Sequence, residues 1–221
     1  MLCGILATAS SPEGAKRGKT LRTERIFLGS VLGSLEGWLG VRSLRTMELR
    51  VQRQSSSATN LVSWLDAALK GEATGKEADI IKKVVSKVLH ASLQKEDMEW
   101  LKPQMPNGFG PVFSIYTHTQ EQARNLPSLL RLFHHATSLG GVESLIEWRR
   151  MSDSEVDQRL LRVSVGVESW EDLKGDFLRG FELLAEGSKE EEKKKKKDYV
   201  QIDVQTGGQG AKGVAAADGA V

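Results

Sequence analysis

Ala136–Leu145 reads ATSLGGVESL and is the most informative stretch of this 221-residue chain. Its two adjacent glycines, which lie between residues typical of strands, predict a tight turn that joins two strands. Such a turn can present backbone N–H groups, together with the Ser138 hydroxyl, to an anion. The alternative is a plain connection between strands. We call this stretch the glycine-turn motif.

Arg162–Glu168 reads RVSVGVE and follows about twenty residues later; we call it the arginine-strand motif. Its alternating valines predict a strand over Leu161–Val167, with the valines on one face and Arg162 on the other. A guanidinium in that position can hold a carboxylate through two parallel hydrogen bonds. The alternative is a solvated arginine at the sheet edge. Glu143 is either a partner for an arginine or a surface residue.

Hydrophobic periodicity along the rest of the chain predicts an α+β fold, with helices first and then strands mixed with helices. Helical stripes begin near Phe27, pause at Ser55–Ser57 and resume over Ala58–Leu69. Thr119 and Ser169 each begin a capping pattern that predicts a helix, the second with Asp172 as its return partner. The other predicted elements are strands at Val84–His90, Val112–Tyr116, Leu132–Thr137 and Val142–Trp148, a loop at Met98–Pro111 and a short helix opened by Pro127.

Composition argues against several classes of protein, including membrane-spanning and disulfide-rich proteins. A net charge of +2 gives no whole-chain attraction to nucleic acid or membrane. No apolar run approaches the roughly 20 residues of a membrane span. The single cysteine, Cys3, excludes an internal disulfide and indicates a reducing, cytoplasmic compartment. Adjacent strand residues His134 and His135 point to opposite faces, so no metal site is predicted.

The two ends of the chain carry separate predictions. Met1–Ala9 is either a weak secretory signal or, as we favour because it lacks a positive leading region, a buried strand followed by a turn at Ser10–Gly14. Residues 188–221 contain a charge block and a glycine- and alanine-rich end, which predict a disordered tail. The alternative for Lys193–Lys197 is a nucleic-acid patch, but Glu190–Glu192 partly neutralise it.

The two motifs resemble those of a known family. The glycine-turn motif resembles the Ser-Leu-Gly-Gly-x-Glu-Ser-Leu motif of the Cys/Met-metabolism PLP-dependent enzymes, the cystathionine γ-synthases, β-lyases and γ-lyases. The arginine-strand motif resembles their Arg-x-Ser-x-Gly-x-Glu strand. Arg42–Met47 is similar to their Arg-Gly-Leu-(Lys/Arg)-Thr-Leu element, with Ser43 in place of glycine. Order and spacing agree over Met1–Leu184, and the match is most similar to fungal γ-synthase-like members.

This resemblance implies a fold, a cofactor and a site. Ser138 and Arg162 are expected to hold the α-carboxylate of an amino-acid substrate beside pyridoxal 5′-phosphate (PLP). The expected fold is part of a PLP fold-type I subunit, with residues 1–44 as a remnant of the large α/β domain. Residues 45–187 would form the small C-terminal α+β domain, with a mostly antiparallel sheet and helices on one face. Homo-oligomers are usual in the family.

The resemblance also implies an absence. A PLP enzyme needs a lysine for its Schiff base, and Lys16, Lys19 and Lys70 lie in unsuitable contexts. We therefore expect the C-terminal portion of a transsulfuration enzyme that replaces the γ-substituent of an activated homoserine, with no catalytic or cofactor-binding residue and no activity alone. The alternative is a non-catalytic domain that associates with a full-length homologue. The choice between γ-synthase, β-lyase and γ-lyase stays open.

Overall fold

The structure is a computed structural model that describes residues 4–187. The predicted tail lies outside these residues, as does the start of the predicted first strand. The chain divides into two compact units between Gln54 and Ser55. The predicted boundary between residues 44 and 45 lies earlier, at the end of a helix, and stays a prediction.

The first unit is helical where it has regular structure. Helix α1 spans Pro12–Phe27 and helix α2 spans Ser34–Arg45. The Ser11 hydroxyl caps α1 by accepting the Gly14 N–H at 3.1 Å, and proline at the first helical position suits a helix start. The predicted turn at Ser10–Gly14 is therefore wrong. Residues 4–9 are exposed and have no regular structure, so the buried strand is also wrong.

Helix α3 spans Met47–Lys70 and continues through the three serines where a pause was predicted. The predicted pause is therefore wrong, and Ser55 and Ser57 are buried where they lie in the helix. The Ser55 hydroxyl accepts the Gly110 N–H at 3.1 Å, and this contact holds a later loop against the helix. Helix α4, Lys76–Val84, begins after Gly75 at φ 100° and leads directly into the first strand.

Within residues 4–187, five strands form one mixed sheet. They are β1 Val85–Leu89, β2 Val112–Thr117, β3 His134–His135, β4 Leu145–Trp148 and β5 Leu160–Ser164. Their order is β1-β2-β5-β4-β3. Every pairing is antiparallel except β3 with β4, so the predicted mostly antiparallel sheet is confirmed. Arg162 therefore lies on the central strand, between Ser114 of β2 and Glu147 of β4.

Three further α-helices occur in the described part of the chain, residues 4–187. Helix α5 spans Met98–Gln104, so the predicted loop is wrong over that range. Pro103 comes only at the end of this helix and does not prevent it. Helix α6 spans Gln120–Leu129, and its predicted capping box at Thr119 is confirmed. Pro127 lies within α6 rather than opening another helix. Residues 170–187 form α7, which starts after Ser169 as predicted, although the Ser169 hydroxyl donates to Glu171 rather than pairing with Asp172.

The core of the second unit joins sheet and helices. Along β2, Phe113 and Ile115 are buried, while the alternate residues Val112, Ser114 and Tyr116 are half-buried. The Phe177 ring of α7 lies 4.4 Å from that of Phe133 and 5.5 Å from that of Phe181. The largest fully buried aliphatic side chains are Leu61, Leu65, Ile81, Ile115, Leu126, Ile146, Leu161 and Leu173. Burial of this apolar surface is the main stabilising contribution.

Asp176 of α7 fixes the segment that leads into the glycine-turn motif. Its carboxylate accepts the N–H groups of Arg131 and Leu132 at 2.8–2.9 Å and the Arg179 guanidinium at 2.9 Å. Residues 131–133 therefore bond to this side chain rather than to a strand, which explains why β3 is shorter than predicted. Burial alone would raise the Asp176 pKa, but these hydrogen bonds outweigh it and lower the pKa.

Candidate functional site

The two sequence motifs are bound to each other through Ser144 and Glu168. The Ser144 N–H and hydroxyl donate to the Glu168 carboxylate at 2.8 and 2.9 Å. The same hydroxyl accepts the Gly166 N–H at 2.9 Å. The Val167 N–H donates to the Val142 carbonyl at 2.9 Å. The glycine-turn and arginine-strand motifs, far apart in sequence, thus form one structural unit.

Two glycines of this unit occupy positions that other residues fit poorly. Gly140 has φ +79°, in the left-handed region that favours glycine. Its N–H donates to the Ser164 hydroxyl at 3.2 Å, so this amide already has a partner within the protein. A side chain at Gly166 would collide with the Val142 carbonyl oxygen and the Glu168 carboxylate. The close approach of the two motifs therefore depends on glycine.

The structure brings Ser138 and Arg162 together. Arg162 Nη2 donates to the Ser138 carbonyl oxygen at 2.7 Å and lies 3.3 Å from the Ala136 carbonyl oxygen. Only 14% of the Arg162 side chain is exposed, so the alternative of a solvated edge arginine is wrong. Ser138 itself is exposed. We call these two residues the Ser138–Arg162 pair.

Glu147, not Glu143, is the acidic partner of Arg162. Glu147 lies directly across β4 and β5 from Arg162, and its carboxylate is 3.1 Å from Arg162 Nη1. Its side chain is 1% exposed, whereas Glu143 is exposed on the turn. Glu147 was not predicted from the sequence. A signal for it was present, since it is a lone acidic residue in the apolar run of β4 and opposite charges often pair across adjacent strands.

One nitrogen of the Arg162 guanidinium has no partner within the described residues. Its Nε is buried and has no hydrogen-bond partner among residues 4–187. Nε and one η nitrogen form the fork that matches a carboxylate, and buried polar groups are normally satisfied. Leu139 and Val142 of the adjoining turn are 57% and 52% exposed. The site therefore combines an unused guanidinium donor with an exposed, partly apolar loop.

The lysines of the described chain do not fit the covalent role that PLP requires. A Schiff-base lysine is activated by a lowered pKa. Lys70 shows the opposite, because its hydrogen bond to Asp66 at 2.5 Å raises its pKa. No lysine among residues 4–187 is buried, and Lys16 and Lys19 lie on α1. The described lysines thus do not fit the covalent attachment of the cofactor.

The histidines have separate structural surroundings. His90 Nε2 donates to the Gly110 carbonyl oxygen at 3.1 Å, and its Nδ1 lies 2.8 Å from the Ser92 hydroxyl. Burial lowers the pKa of His90. His134 and His135 are exposed on β3.

Within the described residues, no group of three or more potential ligands could hold a metal ion. The part of the chain seen in the structure also contains no helix long and apolar enough to cross a membrane.

Comparison with known proteins identifies the family. The family described as Cys/Met metabolism PLP-dependent enzyme matches residues 1–182 of this chain. The chain belongs to this family. Cystathionine γ-synthase of Mycobacterium bovis is 34% identical over 157 residues, which cover 67% of this chain and 37% of that protein. Cystathionine β-lyase of Lactococcus lactis subsp. cremoris is 28% identical over 188 residues, which cover 80% of this chain and 45% of that protein.

Solved structures of the family share the fold. Cystathionine γ-lyase from yeast superposes with a TM-score of 0.62 at 25% identity, covering 79% of this chain and 44% of that one. The methionine γ-lyase CalE6 from Micromonospora echinospora gives a TM-score of 0.62 at 29% identity, covering 76% of this chain and 43% of that one. The chain thus spans less than half the length of the family members it matches.

Proposed function

We propose that this chain provides the substrate-carboxylate side of a transsulfuration enzyme of the cystathionine γ-synthase type, most similar to the fungal members. The single observation that carries the proposal is the contact between Arg162 and Ser138 at the junction of the two family motifs. The substrate would be an amino acid with a free α-carboxylate. The single cysteine fits a cytoplasmic location.

The chemistry open to these residues is binding and orientation. A guanidinium held on a central strand is a fixed positive charge, and it can bind a carboxylate through two hydrogen bonds. The exposed Ser138 hydroxyl adds a neutral donor beside it. Holding the carboxylate at this point would fix the α-carbon relative to the sheet, which lowers the entropic cost of a later reaction step.

Binding of L-homoserine tests the proposal. We expect L-homoserine to shift the NMR signals of the glycine-turn motif and of the Arg162 side chain, and its methyl ester, which has no carboxylate, to leave them in place. Arg162→Ala should abolish the shifts. Arg159→Ala is the matched control, because Arg159 precedes Arg162 by three residues but pairs with Asp157 at the surface. Equal responses to acid and ester would refute the proposal.

A second test addresses the cofactor. PLP is the cofactor of the family, but the described lysines lack suitable surroundings. We therefore expect the chain alone to form no stable covalent adduct with PLP and to be inactive. The measurement is borohydride reduction in the presence of PLP, followed by peptide mass mapping. A specific stoichiometric adduct at one lysine of residues 4–187 would contradict this expectation.

A second candidate function is association with a full-length homologue. It is favoured by large apolar side chains that are exposed along the first unit, where Phe27 is 85% and Trp38 62% exposed. Exposed apolar side chains of this size can contribute to an interaction surface. Mixing the chain with a full-length family member and measuring the mass of the product tests this idea. The substitutions Phe27→Ser and Trp38→Ser should weaken co-elution with the full-length protein. Separate elution of the unmodified chain would count against association.

A further inference from the structure

We propose that Glu147 is the positioning residue for the Arg162 guanidinium, an inference that rests on the proposed carboxylate-binding role of Arg162. The two side chains face each other across the central strand pair, and Glu147 Oε2 lies 3.1 Å from Arg162 Nη1. Both are largely shielded from water, at 1% and 14% exposure. An ion pair in such surroundings is screened far less than one at the surface.

Glu147 is itself held in place. Arg149 Nη1 donates to both carboxylate oxygens of Glu147 at 3.2 Å, and the Ser152 hydroxyl donates to Oε1 at 2.5 Å. A buried carboxylate needs such partners, because removal from water is costly for an unpaired charge. With these bonds in place Glu147 has little freedom to rotate. Arg162 therefore has a fixed acceptor whether or not a ligand is present.

The charge balance leaves Arg162 able to attract an anion. One buried carboxylate lies between two guanidinium groups, those of Arg149 and Arg162. Asp153 is the other acidic group near Arg149, at 3.9 Å, but it is 39% exposed and water screens that pair. Glu147 thus orients the guanidinium without cancelling the positive charge of the cluster.

The contacts also assign different roles to the edges of the guanidinium. Glu147 holds Nη1, the carbonyl oxygens of Ser138 and Ala136 hold Nη2, and Nε is buried without a partner among residues 4–187. The guanidinium is planar and rigid, so fixing Nη1 fixes the direction of the other two nitrogens. A ligand carboxylate would replace the Ser138 carbonyl on the fork of Nε and Nη2, while the Glu147 contact stays in place.

The test compares Glu147→Ala and Glu147→Gln with wild type in the full chain. The control is Glu121→Gln, which alters an exposed glutamate on α6. The first readout is the NMR signal of Arg162 Nε–H and the rotation rate about its Cζ–Nη bonds, assigned through Arg162→Lys. The second is the affinity for acetate at constant ionic strength, with acetate as the carboxylate probe.

We expect Glu147→Ala to speed rotation of the Arg162 guanidinium and to weaken acetate binding about tenfold or more, since a hydrogen bond to a charged group is lost. Glu147→Gln keeps one acceptor oxygen and should give a smaller change of the same sign. Glu121→Gln should match wild type. If Glu147→Ala does not fold, Glu147→Gln alone decides, because even the partial change must appear in the rotation rate.

Unchanged rotation and acetate affinity in the Glu147 variants would overturn the inference. A lower denaturation temperature with an unchanged guanidinium signal would overturn it as well, because that outcome means a purely structural role. If acetate does not move the wild-type Arg162 signal, the proposed carboxylate role fails. The rotation rate in the ligand-free protein then still shows whether Glu147 positions Arg162.

Discussion

Replacing Ser144 with alanine should destabilise the protein because this one hydroxyl joins the two family motifs. Ser144 is 0% exposed, and its hydroxyl donates to Glu168 and accepts the N–H of buried Gly166, each at 2.9 Å. Ser144→Ala removes both bonds and leaves the Gly166 N–H without this acceptor. An unsatisfied buried donor costs about 1–3 kcal/mol, and the lost bond to a carboxylate adds to it, so we expect about 3 kcal/mol.

Urea unfolding followed by tryptophan fluorescence measures this loss. With a slope of about 2 kcal/mol per M, the midpoint should fall by about 1.5 M. Ser138→Ala is the matched control, because Ser138 is in the same motif but exposed, and an exposed substitution changes stability by about 0.5 kcal/mol or less. Equal midpoints for the two variants would refute the idea that Ser144 joins the motifs.

Three further predictions test the surroundings of the site. The Asp176 pKa lies below its ordinary value. The ionised carboxylate therefore stabilises the folded protein above about pH 4, and this contribution is lost as the pH falls through the lowered pKa. Asp176→Asn should make stability, measured by chemical denaturation, less dependent on pH in the acid range. Gly166→Ala should lower the free energy of unfolding by about 1–3 kcal/mol in the same assay, because the added Cβ meets the Val142 carbonyl. Gly175→Ala lies in open space on α7 and should raise the free energy of unfolding by about 0.5–1 kcal/mol. Thr119→Ala should cost about 1 kcal/mol by removing the cap of α6, and an unchanged thermal midpoint would contradict that role.

Local signals in the sequence predicted the elements that build the site. The alternating valines located β5, although the strand ends at Ser164 and the prediction is wrong for residues 165–167. The Thr119 capping pattern located α6. Each signal depends on residues close together in the chain. The α1 helix was missed because its apolar stripe is weak and Ser10–Gly14 also fits a turn. The pause in α3 was predicted wrongly because the packing of Ser55 depends on Gly110, which is distant in sequence.

The site itself was predictable in part. Ser138 and Arg162 could be chosen from the family resemblance, and the structure places them in contact. Glu147 has a local signal, as a lone acidic residue in an apolar run, but its pairing with Arg162 depends on the register of β4 against β5. The bonds of Asp176 to residues 131–133 likewise depend on how α7 packs, and a sequence pattern does not contain that information.

Calorimetric titration of L-homoserine into the full chain tests the central claim most directly. The claim is that Arg162, held beside Ser138 by the two joined motifs, binds a substrate carboxylate. It predicts saturable binding by the wild type and by Arg159→Ala, and loss of binding in Arg162→Ala. Binding of the same strength by Arg162→Ala would contradict it.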